Sequence, residues 1–408
     1  MIQERNQTWY IEDARAHDIA DEYGTPTYIY SKRAIQENIR KVKLVFGDVP
    51  TQIGFACKAN DNIHLMNLMV QEGCSLDVVG RCEYLLARHA GASPDQIVIN
   101  GNAISLSDIA FFLREGIHSI NIDSHEVYSH VMDMVDVIQP SIRPLFFLRV
   151  NPDVDPLVHP YVSTGLKKSK FGIPLAQAEE ILDHDQLGII GIHAHIGSNL
   201  QEVSPFVEAL DKLSAFAQSH PKIRHLNMGG GWGIDYLHDG TAFSVEKYQK
   251  QILPKLSGFE PPVLLELGRF LIANAGILVS KCLYHKKGHS RHFLVCDTNM
   301  AHLIRPALYQ SFHKIIPLIF HTDQREKTIY DVVGGLCESG DILAWDRELA
   351  RVEPGELIAI LDAGAYGFSM ASNYNAALRP AEVLVDGSKF RCIRNRETIE
   401  DILRLMEV

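Results

Sequence analysis

No two cysteines in this chain stand in a CxxC pair, and the seven that occur, at 57, 74, 82, 282, 296, 337 and 392, are scattered and odd in number. That pattern excludes a disulfide framework and a zinc knuckle and fits the reduced thiols of a cytoplasmic protein. Most of them read as small buried hydrophobes. Long apolar runs are missing too: nothing reaches the length of a membrane-spanning helix, and Met1-Ile2-Gln3-Glu4-Arg5-Asn6 has no apolar signal core. The expectation is a soluble chain with no membrane partner. Positive charge is in short supply, with 39 Lys and Arg against 50 Asp and Glu, a formal charge of -11 and a pI near 5.9. No Lys/Arg cluster forms a stripe able to track phosphates, which argues against a nucleic-acid partner. No Pro/Gly/Ser-rich linker divides the chain, so its parts are expected to dock tightly.

What the chain does have is size and apolar content. Its 408 residues, 46% hydrophobic and 22% charged, suffice for one large barrel and a smaller domain. Short β-prone runs at 52–56, 75–79, 96–100, 119–122, 145–150, 188–195, 224–228 and 262–266 each precede a helix-compatible stretch. Eight strands alternating with helices predict a closed parallel (β/α)₈ barrel of the TIM type; a doubly wound open sheet is the alternative and usually has fewer strands. Past about 278 the texture changes to β runs at 278–284, 292–295, 329–333, 357–361, 381–385 and 389–393, with a short helix at 397–406. This predicts a mostly antiparallel C-terminal β domain. Thr25-Pro26-Thr27-Tyr28-Ile29-Tyr30 is β-prone and precedes the barrel, so residues 1–30 are expected to add a strand to the β domain, with the barrel over 31–278 and the β domain over 279–408.

Barrel enzymes carry their chemistry at the C-terminal ends of the strands. Here those ends deliver Lys58, Asp77, His195 with Ser198, Gly229-Gly230-Gly231, and Glu266 with Gly268-Arg269. Lys58, between small and apolar residues, is either a snorkelling surface lysine or a deliberately placed amine whose pKa desolvation would lower. Gly229-Gly230-Gly231-Trp232-Gly233 is no dinucleotide fingerprint, because position 234 is Ile. A glycine run is either a flexible turn or a cradle of backbone N–H groups for a phosphate. His193 and His195, two apart on a strand, share a face and could ligate a metal, but no further ligand pair accompanies them. Lysine, phosphate cradle, flat imidazole and strand-8 carboxylate together describe a pyridoxal 5'-phosphate site.

The motifs match a known family. Phe55-Ala56-Cys57-Lys58-Ala59-Asn60, His193-Ala194-His195-Ile196-Gly197-Ser198, Gly229-Gly230-Gly231, Glu266-Leu267-Gly268-Arg269, Cys337-Glu338-Ser339-Gly340-Asp341 and Gly364-Ala365-Tyr366-Gly367 resemble those of the alanine-racemase-fold, pyridoxal-phosphate-dependent basic amino-acid decarboxylases. So do Thr164-Gly165-Leu166-Lys167 with Ser169-Lys170-Phe171-Gly172, Ile304-Arg305-Pro306-Ala307-Leu308-Tyr309, and Ser369-Met370-Ala371-Ser372-Asn373-Tyr374-Asn375. The resemblance spans nearly the whole chain.

It implies that Lys58 is the Schiff-base lysine, that His195 stacks on the cofactor ring, and that Glu266 faces the pyridine nitrogen. Ser198, the Gly229–Gly231 run, Gly268, Arg269 and Tyr374 would surround the phosphate, with Asp77 in the same cofactor set. Arg269, Arg305, Tyr309, Glu338 and Tyr374 would form the substrate set, and Cys337 would be the acid that reprotonates the α-carbon. In the family the Cys337 and Glu338 positions come from the partner subunit, which implies a homodimer with shared sites. Two arginines and Glu338 suit a small-molecule substrate whose non-reacting end carries both a carboxylate and an ammonium group; sister enzymes acting on carboxynorspermidine, ornithine, arginine or a siderophore or antibiotic precursor remain alternatives. The chain departs from the family pattern at Leu267, at Gly80-Arg81-Cys82, at Trp232 and at Ala376-Ala377-Leu378-Arg379, none of which removes a catalytic residue.

Overall fold

The computed structural model describes residues 1–155, 165, 169–319 and 324–406. Thr164, Leu166 and Lys167 of the quoted motif lie outside the described residues. Two compact units emerge, one of Asn38–Ile234 with Ala242–Phe270, the other of Met1–Glu37, Asp235–Thr241 and Leu271–Val408.

In the first unit, strands Thr51–Ala56, Ser75–Val78, Ile97–Ile99, Ser119–Ile122, Leu145–Asn151, Gly191–His193, His225–Asn227 and Val263–Leu267 pair in parallel in chain order. Val263–Leu267 pairs back on Thr51–Ala56, from Val263 opposite Thr51 to Leu267 opposite Phe55, and closes the barrel. All eight predicted strands are present, the sixth shortened. Ser75–Val78 and Ser119–Ile122 are buried at every position, as strands covered on both faces must be.

Local chemistry fixes the helices between them. Ile63–Gln71 starts where the Asn62 side chain accepts the His64 N–H at 3.0 Å, and it buries Leu65, Met66, Leu68 and Met69. Leu106–Glu115 starts at Ser105, whose hydroxyl accepts from Asp108 N–H, and stops at Gly116 in the left-handed region with φ of 72°. Trp232, unusual after the glycine run, fills an aromatic cluster. Its ring lies 5.0 Å from Phe243, 4.6 Å from Tyr248 and 5.2 Å from Phe270, each contact worth about 0.5–1.5 kcal/mol beyond its buried area.

The second unit holds a sheet ordered Ile342–Ala350, Lys327–Val333, His292–Cys296, Gly276–Lys287, Thr27–Ser31, Ala381–Asp386, Lys389–Arg394, with Leu357–Ile360 pairing Gly276–Lys287 off this path. Most ladders are antiparallel, but His292–Cys296 runs parallel to Lys327–Val333, and Thr27–Ser31 parallel to Ala381–Asp386, so the sheet is mixed. Thr27–Ser31 is buried at all five positions because it has a strand on either side. Its Ile29 joins Ile11, Ile19, Val279 and Val383 in one apolar cluster.

Candidate active site

At the C-terminal end of the barrel the first strand passes into a single 3-10 turn, Cys57–Ala59, which lifts Lys58 out of the strand. Lys58 keeps 40% of its side-chain surface exposed, and its Nζ lies 3.5 Å from Oδ2 of Asp77, a buried carboxylate. Neither Asp77 oxygen accepts a hydrogen bond among the described residues. Burial pushes the Asp77 pKa up, the charge of Glu266 pushes it further, and Lys58 opposes both.

Glu266, 4% exposed, is the hub of this end of the barrel. Its Oε1 accepts from Asn121 Nδ2 at 2.8 Å and Asn227 Nδ2 at 2.7 Å; its Oε2 accepts from Asn100 Nδ2 at 2.7 Å and lies 3.1 Å from His193 Nε2. Burial works against a charge here, yet His193, Lys58 and the Asn227 amide outweigh it and hold Glu266 well below the usual carboxylate range. The clamp extends outward on both sides. Asn100 Oδ1 accepts from Arg149 Nη1 at 3.0 Å, and Asn227 Oδ1 accepts the Gly229 N–H at 2.9 Å. Asn100, Asn121, Asn227 and Arg149 are site residues that the sequence does not single out, and His193 stands there only as a metal candidate. The available signal was asparagine in or at the end of strands, where it is disfavoured unless it has a polar task.

His193 and His195 turn to different partners, which removes the shared-face geometry a metal pair requires. His193 faces Glu266 from full burial. His195 Nδ1 accepts the Gly230 N–H at 3.0 Å, so in the neutral ring Nε2 carries the proton, and burial drives the His195 pKa well down. A neutral imidazole is thereby fixed edge-on to the glycine loop. A Cβ at Gly230 would stand 2.2 Å from the carbonyl oxygen of Glu266, so only glycine lets this loop approach strand eight. Gly231, at φ of 110°, leaves its N–H outside both bonds that Gly229 and Gly230 make. Beside it, Arg269 follows Gly268 at the start of a short helix and donates from Nη2 to Ser198 Oγ at 2.9 Å.

The remaining predicted residues belong to the other unit and form two groups. Buried Arg305 and half-buried Tyr309 share the helix Arg305–Tyr309. Cys337 and Glu338 are exposed on the loop between Lys327–Val333 and Ile342–Ala350. Asp341 shapes that loop, accepting the Met300 and Leu336 N–H groups at 2.7 and 2.8 Å, and Tyr374 OH donates to Glu338 Oε2 at 3.4 Å.

Residues 32–273 match the family model of the pyridoxal-dependent decarboxylases, pyridoxal binding domain. The diaminopimelate decarboxylase of Haemophilus influenzae is 39% identical over 413 aligned positions, covering 99% of this chain and 98% of the relative. The chain belongs to the diaminopimelate decarboxylase family. Solved family members superpose over nearly their full length. The M. jannaschii enzyme in co-complex with L-lysine gives a TM-score of 0.93 at 32% identity, covering 100% of this chain and 98% of that one. The Helicobacter pylori enzyme complexed with L-lysine gives 0.90 at 32% identity, covering 95% and 98%. The fold is thus the alanine-racemase-like barrel with its β domain, and the protein is a pyridoxal-phosphate-dependent decarboxylase.

The barrel residues fit that cofactor. A primary amine beside a carboxylate with unfilled acceptor sites, a deeply ionised Glu266, a neutral flat imidazole, and a glycine cradle flanked by Ser198 and Arg269 meet the needs of an aldehyde, a pyridine nitrogen, a ring face and a phosphate.

Proposed function

We propose that this enzyme removes carbon dioxide from meso-2,6-diaminopimelate to give L-lysine, the last step of lysine biosynthesis, and that it does so in the cytoplasm. The observation that carries the reading is full-length similarity to curated diaminopimelate decarboxylases, joined to an intact set of reactive strand-end residues. In this reading Lys58 holds the cofactor covalently, with Asp77 beside it to balance and orient the amine. Ser198, Gly231, Gly268, Arg269 and Tyr374 hold the phosphate, and His195 covers one face of the ring. Bound pyridoxal phosphate supplies an electron sink for the pair left on the α-carbon when carbon dioxide departs. Ionised Glu266 keeps a proton on the pyridine nitrogen, which preserves that capacity.

Cys337, carrying its proton, donates it to the α-carbon. At the far end of the substrate Arg269, Arg305 and Tyr309 bind the carboxylate, and Glu338 the ammonium. A site built to pair such groups rejects substrates that lack them by on the order of 10⁴-fold. Purified protein supplied with pyridoxal phosphate is expected to release equimolar carbon dioxide and L-lysine from meso-diaminopimelate. No turnover, or faster turnover of ornithine, would sink the assignment.

The exposure of Cys337 and Glu338 supports the further reading that they complete the site of a second copy in a homodimer. Lys58→Ala and Cys337→Ala chains, each inactive alone, should regain about one quarter of wild-type activity when mixed one to one and allowed to exchange, because half the dimers then hold one competent site. Absence of any recovery after verified exchange would refute the sharing.

A further inference from the structure

Arg305 is 4% exposed, and a buried guanidinium needs its donors met. Its Nε–H donates to His313 Nε2 at 3.2 Å, its Nη2 to Ser311 Oγ at 3.3 Å, and its Cζ lies 5.2 Å from the centroid of the Tyr236 ring. Ser311 follows within two residues of the helix that carries Arg305, so its bond is local. His313 is of a different kind. The ring is fully buried, leads into the strand Ile315–Pro317, and holds its Nδ1 2.8 Å from the carbonyl oxygen of Leu361.

A carbonyl only accepts, so Nδ1 bears the proton and Nε2 of the neutral ring is a bare lone pair. The backbone at Leu361 therefore selects the one tautomer able to receive Arg305 Nε–H. A doubly protonated ring would set N–H against N–H. Tyr236 packs edge-on to the same imidazole, with centroids 5.3 Å apart and planes at 76°, while its own ring lies under the guanidinium. Arg305, His313 and Tyr236 thus form a three-sided brace in which each side chain restrains the other two.

A carboxylate at position 313 would orient the arginine equally well but would neutralise it. A neutral acceptor fixes direction without itself cancelling the charge. We propose that His313 is a positioning residue for substrate selection, aiming the Arg305 guanidinium at the carboxylate on the substrate's non-reacting end. The proposal rests on the reading that Arg305 binds that carboxylate, and it adds the group that makes the arginine selective.

L-Lysine retains the carboxylate in question, whereas 1,5-diaminopentane lacks it, so the pair isolates the interaction. His313→Asn keeps an N–H for Leu361 but is too short to accept from Arg305; His313→Gln can reach both. In calorimetric titrations of the holoenzyme, His313→Asn is expected to weaken L-lysine binding about tenfold or more while 1,5-diaminopentane binding stays within about twofold. In steady state the KM for meso-diaminopimelate should rise by a similar factor with kcat within about threefold, and His313→Gln should recover most of the loss. If the Asn chain does not fold, His313→Phe, which also lacks the acceptor, carries the comparison.

Equal weakening of both ligands, or of neither, would overturn the proposal, as would failure of the folded Gln variant to differ from Asn. Arg305→Ala separates the two levels. If it leaves L-lysine binding unchanged, the role given to Arg305 falls and the proposal with it. If it weakens L-lysine while His313→Asn does not, the proposal alone is lost.

Discussion

Lys58→Ala is expected to lower decarboxylation by on the order of 10⁴-fold or more and to abolish the visible absorbance of the bound cofactor, with the chain still folded. The side chain stands on a one-turn 3-10 segment whose backbone bond, Asn60 N–H to Cys57 O at 3.0 Å, does not involve it, and it is not part of the apolar core. What the substitution removes inside the protein is the cation 3.5 Å from Asp77. That loss has a pH signature. The folded-state pKa of Asp77 is raised, chiefly by burial, and Lys58 is a factor pulling it down. A raised acid binds its proton more tightly in the native than in the unfolded chain. Its contribution to stability is therefore complete below the unfolded carboxylate pKa and is lost as pH rises through the folded one.

Without Lys58 the folded value climbs further, and the decline should extend to higher pH. Thermal unfolding of the two cofactor-free chains from about pH 5 to about pH 9 reads this directly. Lys58→Ala should lose more stability than wild type on passing from neutral to alkaline pH. A parallel pair of curves would mean that Asp77 does not sense the lysine charge, and the role given to Asp77 as its orienting partner would fall. Retained absorbance or activity would remove Lys58 from the centre of the site.

The barrel is legible in the sequence because strands covered on both faces are written as short apolar runs, and turn residues separate them from helix-period stretches. Thr27–Ser31 is legible through its β-prone Tyr28-Ile29-Tyr30 centre, and it is buried throughout. Ile342–Ala350 is hidden for the opposite reason. It carries Trp345-Asp346-Arg347-Glu348 across a kink at Asp346, whose φ is 50°, and its register with Lys327–Val333 slips near Tyr330 and Val332. No period of two survives that.

Within the site, residues that are reactive by type are readable: a lysine, a glycine run, a strand-end glutamate. Residues that work by holding others are not. Asn100, Asn121 and Asn227 come from three separate strands, and nothing in their spacing says that one carboxylate collects all three. Lys58 shows the limit from the other side, since an apolar local sequence suggests desolvation, whereas its decisive neighbour is Asp77, nineteen positions away in the chain and one strand away in space.

That clamp makes Glu266→Gln the second large expected effect, and its size follows from counting donors. The carboxylate faces four nitrogen groups, two at each oxygen. An amide replaces one oxygen by an NH₂, which in this buried site meets the Asn121 and Asn227 amide donors on one side or the Asn100 amide donor on the other. Each unmatched buried polar group costs about 1–3 kcal/mol, so stability should drop by about 3 kcal/mol or more. Loss of the charge should lower kcat by on the order of 10²–10³-fold, the range for removing one fixed electrostatic partner of a developing charge. Asn227→Ala, which deletes one donor and the acceptor of Gly229 N–H but spares the charge, should fall between wild type and Glu266→Gln on both scales.

The two losses can be pulled apart. In the double variant Glu266→Gln/Asn100→Asp, an aspartate at 100 can accept from the new amide and still accept from Arg149, which restores donor–acceptor matching on that side while moving the negative charge off strand eight. If Glu266 matters for the place of its charge, the double variant should recover much of the stability and little of the rate. If activity returned with stability, Glu266 would be a packing hub for the strand ends, and the partner of the pyridine nitrogen would have to be sought elsewhere on the rim.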